Sequence, residues 1–241
     1  MTTLFESLQS FGNCNSLDQL HAATAKIARQ MGFEHFLYAA RVYTSLTRPY
    51  QFIFSGYPKE WRSRYSEAGY EAIDPTIIHC TKEVIPVIWN KKMFNTRPAA
   101  KFWDEAKSCG IASGASFSLH GRKAEAAMLS LASSRDLRQA KADIVTALPS
   151  AQLLLCYLHE AIERIVLTKE ALPLKTPHLT TREQECLRGA ADGKTSWEIS
   201  KILGVSERTV IFHVQNATTK LGVTSRQHAI TRALSLGLIA R

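Results

Sequence analysis

Basic and short polar side chains that can hold phosphate are concentrated around GKTSWEISKILGVSERTVIFH, residues 193–213. Lysine and arginine bind phosphates and base edges, and short hydroxyl side chains donate to phosphate oxygens. The chemistry that this set suits is recognition of duplex DNA. We expect contacts to the DNA backbone from Lys194, Thr195, Ser196, Thr209 and Lys220. We expect contacts to the bases from Arg208, Ile211, Phe212 and Gln215.

The elements that must position these side chains are two helices joined by a tight turn. Ser206 is a helix-start signal only eleven residues after Thr195, and Gly204 ends the helix between them. Capping pairs also mark the outer helices, at Thr180 with Glu183 and at Thr224 with Gln227. A turn this short makes the inner helices cross steeply, as in a helix-turn-helix. Their expected core is Ile199, Ile202, Leu203, Val205, Val210, Val214, Ala217 and Leu221.

The net charge agrees with a nucleic-acid partner. The chain carries a formal charge of +9, and residues 178–241 contain nine Lys or Arg against five Asp or Glu, which leaves +4. The alternative is a four-helix module that binds protein, with its basic residues merely solvated. Because caps, turn, apolar spacing and charge agree, they favour DNA binding. His213 lies toward the core side and is expected to be a structural residue.

No pattern in the chain predicts catalysis. SGASFS lacks the second glycine of a GxSxG motif, and neither HExxH, CxxC nor a phosphate-binding glycine loop occurs. We therefore expect neither an enzyme nor a metal site. The five scattered cysteines fit a reducing cytoplasm without disulfides. The start of the chain lacks a basic leader with an apolar run, and charges interrupt the most apolar stretch, so we expect no membrane partner.

The chain is expected to divide near residue 175. From Asp136 to about Glu170, apolar residues recur at helical spacing, which predicts one long helix with a kink at Pro149. EALPLKTPHL then contains two prolines, which favour a short extended linker. The expected organisation is a first domain over 1–170, a linker over 171–178 and a helix-turn-helix domain over 179–241.

The first domain combines short strands with helices. Strands are predicted at FEHFLYAARVY, YQFIFS, VIW, SGASFSLH and AAMLSLAS, the last two joined by a turn at HGRKAEA. Helices are predicted over 17–31, 58–69 and 97–109, with Gly110 closing the last. Strands that adjoin in pairs predict an α+β fold, an α-β-α sandwich with an antiparallel sheet, followed by the all-α module. A phosphorylated receiver domain is disfavoured, because no acidic cluster follows the first strand.

One stretch of the first domain, YPKEWRSRYSEAGYEAIDPTIIHC (57–80), combines aromatic and polar residues. Trp61 and Tyr65 lie four apart on one helix face, and Asp74 precedes Pro75. An Asp-Pro pair is typical of a helix start, and an aromatic stripe is more often core than pocket. Taken alone, the stretch favours a structural role.

Both halves of the chain resemble LuxR-type transcription regulators. LTTREQECLRGAADGKTSWEISKILGVSERTVIFHVQNATTKLGV is similar throughout to the DNA-binding domain of that family. Residues 57–80, together with Trp89, Gly114 and Ser130, resemble its autoinducer-binding domain. The resemblance is closest to the LasR branch and covers nearly the whole chain. It implies a quorum-sensing receptor for an acyl-homoserine lactone, a neutral molecule with a lactone, an amide and an apolar tail.

The resemblance implies a role for each polar residue of the ligand site. The Trp61 indole is expected to donate to the lactone carbonyl, and Asp74 to accept from the amide N–H. The Tyr57 and Ser130 hydroxyls are expected to donate to the amide carbonyl, and Thr76 to steady Asp74. Each ligand group left unpaired would cost roughly 1–3 kcal/mol.

The resemblance also predicts the residues that receive the acyl tail. Arg62 is expected to reach a 3-oxo group through water. The expected tail pocket is lined by Tyr65, Ile77, Trp89, Phe102, Ile111, Ala126 and Met128. Compared with the LasR pattern, Met128 replaces an alanine, Ala126 a leucine and Phe94 a tyrosine, which redistributes the pocket volume. We expect a long acyl chain, with 3-oxo substitution left open.

The partners also follow from the resemblance. The lactone is expected to become part of the core, so that the occupied receptor is more stable than the empty one. The occupied form is expected to dimerise through the helices around 150–166 and 225–237 and to bind inverted-repeat promoter DNA. It is then expected to activate transcription, with RNA polymerase as a further partner. The alternative is an orphan LuxR-type regulator that responds to a non-cognate or non-lactone small molecule.

Overall fold

The computed structural model describes residues 4–42, 50–121, 126–167 and 177–239. Residues 4–41, 51–120 and 126–167 belong to one compact unit, and residues 177–239 to a second. Most of the predicted linker and the centre of the HGRKAEA turn lie outside the described residues, so both stay predictions.

The first unit is an α-β-α sandwich. Its helices are α1 Leu4–Gln9, α2 Leu17–Gln30, α3 Lys59–Glu67, α4 Pro75–Cys80, α5 Arg97–Ser108 and α6 Leu137–Ile162, with a π-helical turn over Glu163–Leu167. Its strands are β1 His35–Val42, β2 Tyr50–Ser55, β3 Val87–Ile88, β4 Ser113–His120 and β5 Ala126–Ser133. The sheet order is β2-β1-β5-β4-β3, and the β1–β5, β5–β4 and β4–β3 pairings are antiparallel. The predicted fold class is confirmed.

The predicted elements agree closely with the observed ones. The helices predicted over 17–31, 58–69 and 97–109 begin and end within two residues of α2, α3 and α5. The long helix α6 begins after the cap at Asp136 and contains Pro149. Gly110, expected to close α5, has φ of +80°, a conformation that glycine adopts without strain.

The two faces of the sheet differ in the size of their side chains. One face packs large apolar residues such as Phe36, Phe117 and Leu129 against α1, α2 and α6. The other face of β4 and β5 carries small or polar side chains, among them Ser116 and Ser130, although these are buried. On this side of the sheet, Ala132 packs in one apolar cluster with Trp61 of α3 and Phe102 of α5.

The second unit contains four helices, α7 Thr181–Ala191, α8 Ser196–Leu203, α9 Glu207–Lys220 and α10 Arg226–Ser235. Thr180 and Thr195 both form the predicted capping boxes, and Ser206 caps α9. Gly204, with φ of +66°, ends α8 in the left-handed conformation and produces the tight turn. The predicted cap at Thr224 is wrong. α10 begins one residue later, because Ser225 accepts from His228 N and takes the capping role.

The core of the second unit confirms the predicted apolar spacing except at one residue. Ile199, Val210, Val214, Ala217 and Leu221 are buried, and Leu203 and Val205 pack against them. Ile202 is 63% exposed, so its assignment to the core is wrong. The inward face of α8 contains Ile199 and Leu203, which are four residues apart. Ile202 lies beside this face and points toward solvent.

Candidate ligand-binding site and nucleic-acid interface

Helix α3 brings Trp61 and Tyr65 together on its inner face, as the sequence predicts. Their ring centroids lie 5.9 Å apart. Trp61 stacks on Tyr70 at 6.0 Å and contacts Phe102 of α5 at 5.5 Å. Only 2% of Trp61 is exposed. The indole is therefore held by rings on three sides.

Asp74 caps α4 and is also the acceptor at the centre of the candidate site. Thr76 donates to its Oδ1 from the backbone nitrogen at 2.8 Å and from Oγ1 at 2.7 Å. Tyr65 donates to its Oδ2 at 3.0 Å, so a residue predicted to line the tail belongs to the polar part of the site. Burial raises the pKa of Asp74, and the hydrogen bonds from Thr76 and Tyr65 oppose that rise.

Tyr57 and Ser130, both predicted to bind the amide carbonyl of the ligand, influence each other in the candidate site. Burial raises the pKa of the Tyr57 hydroxyl above its ordinary range, the Asp74 charge raises it further, and a hydrogen bond from Ser130 opposes both. Ser130 is also linked to Ser116, with 2.7 Å between the two Oγ atoms. Ser116 accepts from the Trp89 indole at 2.8 Å. Trp89, predicted to line the tail, thus makes a polar contact too.

The remaining predicted residues lie at different depths. Phe102 and Ile111 are buried in the apolar cluster that contains Trp61. Ile77 is half-buried on α4. Ala126 and Met128 alternate with Ser130 on the same face of β5, along which the acyl tail is expected. Arg62 is exposed on α3, and the structure does not bring it together with the polar residues of the site.

An ion pair that the sequence does not predict connects α3 and α5, the helices beside this site. Arg64 of α3 donates to Glu105 of α5 through Nε at 2.7 Å and Nη2 at 2.9 Å. Tyr70 donates to the same carboxylate at 2.6 Å. These bonds lower the pKa of Glu105 to about 2. Ser116 was also missed, although alternation along SGASFSLH places a small polar residue there on a buried strand face.

The outer face of α9 presents the four residues predicted to read bases. Arg208, Ile211, Phe212 and Gln215 are all exposed and lie at helical spacing, opposite the buried Val210 and Val214. His213, predicted to be structural, is half-buried. α8 and α9 pack against each other, and the exposed face of α9 is the one that we expect to enter a groove.

The predicted backbone contacts lie at the beginnings of α8 and α9. Thr195 and Ser196 are held in place, because Thr195 caps α8 and Arg226 donates to Ser196 Oγ at 3.1 Å and to the Lys194 carbonyl at 2.6 Å. Thr209 shares a 2.8 Å hydrogen bond with Ser206 in the first turn of α9. Two helix N-termini beside basic side chains form a suitable environment for phosphates.

Lys220 is engaged within the domain. Its Nζ lies 2.8 Å from Glu183 Oε1, and Glu183 is 3% exposed. Burial would raise the pKa of Glu183, but hydrogen bonds from Lys220 and Thr180 lower it on balance. The pair joins the start of α7 to the end of α9. Lys220 therefore has a structural role in addition to the phosphate contact predicted for it.

The described residues contain no cluster of His, Cys, Asp and Glu suited to a metal ion. Within the same ranges, no helix has both the length and the apolar character needed to cross a membrane. All five cysteines are free thiols.

Family models match both units of the chain. Residues 16–162 match the autoinducer binding domain, and residues 177–233 match the bacterial regulatory proteins of the luxR family. Both matches agree with the observed division into two units.

Relatives of known role align along nearly the whole chain. The transcriptional activator protein AnoR of Acinetobacter nosocomialis is 34% identical over 96% of this chain and 97% of its own length. The transcriptional activator protein LuxR of Aliivibrio fischeri is 32% identical over 94% of this chain and 90% of its own length. The solved structure of SdiA in complex with octanoyl-rac-glycerol is 26% identical, with a TM-score of 0.73 over 96% of this chain and 93% of that one.

AnoR and LuxR are both transcriptional activators, and each aligns with this chain across both of its matched domains. The comparisons do not single out the LasR branch, which stays a prediction. The chain is a member of the LuxR family of transcription regulators, with an autoinducer-binding domain followed by a helix-turn-helix DNA-binding domain.

Proposed function

We propose that this regulator is a quorum-sensing activator whose signal is an acyl-homoserine lactone with a long acyl chain. The observation that carries the proposal is the set formed by the buried Trp61, the buried Asp74 and the half-buried Tyr57 beside the small-residue face of the sheet. Two donors and one acceptor there complement two carbonyls and one amide N–H. A regulator of promoter DNA acts in the cytoplasm, and we infer that location for this chain.

The strand geometry supports a long tail. From Ser130 to Ala126, β5 advances by about 13 Å at roughly 3.3 Å per residue, enough for an extended chain of roughly ten carbons. The small Ala126 leaves room at the far end, while Met128 narrows the middle of the path. Each methylene buried along it contributes about 0.8 kcal/mol.

The exposed surface of α6 supports a dimer. Val145 and Leu153 are both about half exposed, and with Cys156 they form an outward stripe on this helix. The exposed residues of α10 are instead polar, among them Gln227 and Arg232. We therefore assign most of the dimer contact to α6. A dimer carries two α9 helices, which suits an inverted-repeat site, and RNA polymerase would be the further partner of a DNA-bound activator.

A second candidate signal is an acylglycerol. The structural relative SdiA has been solved with octanoyl-rac-glycerol, which has an apolar chain but no lactone ring. Such a ligand could accept hydrogen bonds from Tyr57 and Trp61 through its oxygens. It has no amide N–H, and Asp74 would accept from a glycerol hydroxyl instead, so thermal unfolding has to decide between the two ligands.

Thermal unfolding of the full chain tests the signal class. Acyl-homoserine lactones of increasing chain length should raise the melting temperature, with the largest shift for a long chain, and octanoylglycerol should raise it less. An unchanged melting temperature with every lactone at saturation contradicts the proposal. A gel shift on inverted-repeat DNA should then show two chains per site, and a single chain on a half-site contradicts the dimer.

A further inference from the structure

Arg226, the first residue of α10, holds the segment that joins α7 to α8. Its Nη2 donates to the backbone carbonyl oxygen of Lys194 at 2.6 Å, and its Nη1 donates to Ser196 Oγ at 3.1 Å. These two acceptors lie on either side of Thr195, the residue that caps α8. One planar guanidinium therefore fixes both the loop before α8 and the first residue of that helix.

The hydrogen bond from Arg226 decides what the Ser196 hydroxyl can do. A guanidinium can only donate hydrogen bonds, so Ser196 Oγ must act as the acceptor. A hydroxyl that accepts in this way keeps its own hydrogen for another acceptor. Among residues 177–239, which the structure describes, no group accepts that hydrogen. The Ser196 hydroxyl can therefore donate to a molecule outside the domain.

The neighbouring hydroxyl, that of Thr195, is already used within α8. Thr195 Oγ1 donates to Glu198 Oε2 at 2.9 Å and accepts from the Glu198 backbone nitrogen at 3.2 Å. The Thr195 backbone nitrogen donates to the same carboxylate at 2.7 Å. Thr195 and Ser196 are both predicted to contact the DNA backbone, and these bonds distinguish them. Ser196 can donate to a phosphate without breaking a bond of the domain, whereas the Thr195 hydroxyl cannot.

We propose that Arg226 is a positioning residue for DNA binding, which holds Ser196 so that its hydroxyl donates to a phosphate of the duplex. This inference rests on the predicted DNA contact of Ser196 and refines it, because it selects Ser196 over Thr195 as the hydroxyl donor. Arg226 is half-buried and uses both Nη atoms inside the domain, so it acts through Ser196. A donor that is already held in place loses less conformational entropy when DNA binds.

DNA titrations of the full chain test this inference. The probe is a duplex with the site that the natural chain selects from a random-sequence pool, in the presence of the lactone that stabilises the chain most. Ser196→Ala should weaken DNA binding about tenfold, because a hydrogen bond to a charged phosphate is lost. Arg226→Gln should weaken it by a similar factor. In the double variant the loss should stay about tenfold and not reach about a hundredfold, because both changes remove the same contact.

The salt dependence of binding separates a positioning role from a direct contact. A phosphate contact from a cationic side chain contributes about 1 to the slope of log affinity against log salt concentration. Arg226→Gln should leave this slope unchanged, since the contact that it disturbs comes from a neutral hydroxyl. A slope lowered by about 1 in Arg226→Gln would mean that the guanidinium itself binds phosphate, and would overturn the inference.

Arg232→Gln is the matched control, because Arg232 lies exposed on the same helix and its loss changes the net charge equally. DNA affinity should change less than about twofold in this variant, since a distant exposed charge is screened by salt. If Arg226→Gln does not fold, Arg226→Lys takes its place. It keeps the charge, but one ammonium cannot reproduce the two bonds of the guanidinium.

The remaining outcomes separate this inference from the proposed function. Unchanged DNA affinity in Ser196→Ala, or losses that add in the double variant, overturn the role of Arg226 and leave the proposed function intact. A natural chain that selects no DNA overturns both.

Discussion

Tyr65 donates its hydroxyl hydrogen to Asp74, with 3.0 Å between Oη and Oδ2. This bond connects α3 to the cap of α4 and helps to keep the buried carboxylate ionised, since it opposes the effect of burial on the pKa of Asp74. An ionised Asp74 is the stronger acceptor for a ligand amide.

Tyr65→Phe should weaken ligand binding most at mildly acidic pH. The loss of the hydroxyl raises the pKa of Asp74 further, so the carboxyl takes up its proton at a higher pH. As the solution is acidified, ligand affinity therefore begins to fall at a higher pH than in the natural chain. Lactone affinity measured across pH checks this. Tyr70→Phe is the control, because the Tyr70 hydroxyl donates to Glu105 instead. Parallel pH profiles for both variants would contradict the prediction.

Asp74→Asn should lose ligand affinity without losing stability. A hydrogen bond to a charged group contributes roughly 1.5–3 kcal/mol, so affinity should fall roughly ten- to hundredfold. The folded pKa of Asp74 is raised above 3.8, so its stabilising contribution is complete below that value and is lost as pH rises. The ligand-free variant should therefore unfold at an equal or higher temperature at neutral pH. A clearly lower melting temperature, or a normal ligand response, would refute this assignment.

Glu105→Gln should destabilise the first domain in a pH-dependent manner. The Arg64 hydrogen bond, with that of Tyr70, lowers the pKa of Glu105 from 4.5 to about 2. A lowered pKa contributes stability above pH 4.5 that is lost as pH falls toward 2. The difference in melting temperature between Glu105→Gln and the natural chain should therefore shrink as the pH falls from 4.5 toward 2.

Asp104→Asn is the control for this experiment. Asp104 precedes Glu105 in the sequence and its side chain is 77% exposed, so its replacement should change the melting temperature little. Exchange of the two charges, Arg64→Glu with Glu105→Arg, should restore part of the lost stability. An effect of Glu105→Gln that is constant with pH would exclude the ion pair as its cause.

Lys220→Ala should lower the stability of the second domain, whereas Arg208→Ala should weaken its binding to DNA. Removal of Lys220 leaves the buried Glu183 without its cation and should cost roughly 1–3 kcal/mol of unfolding free energy. Arg208→Ala should leave stability unchanged and cost roughly 1–3 kcal/mol in DNA binding. Urea unfolding and DNA titration at several salt concentrations separate the two. If Lys220→Ala is fully stable and lowers the salt slope by about 1, Lys220 is a phosphate contact after all.

Local patterns predicted local structure well in this protein. The capping boxes at Thr180 and Thr195 and the left-handed Gly204 depend on residues within one helical turn, so their spacing is sufficient. The two incorrect predictions in the second unit also have local causes. Ser225 replaced Thr224 as a cap because both are good caps one residue apart, and Ile202 is exposed because an apolar residue beside the inward stripe satisfies the pattern equally well.

The sequence by itself determined the family, the α-β-α and helix-turn-helix architecture and the residue types that surround the ligand site. Only the tertiary structure decided which of those residues pair. Trp89 and Ser116 are 27 residues apart, and Glu183 and Lys220 are 37 apart. Such contacts depend on strand register and helix packing, which bring distant side chains within hydrogen-bonding distance, and no spacing along the chain encodes that distance.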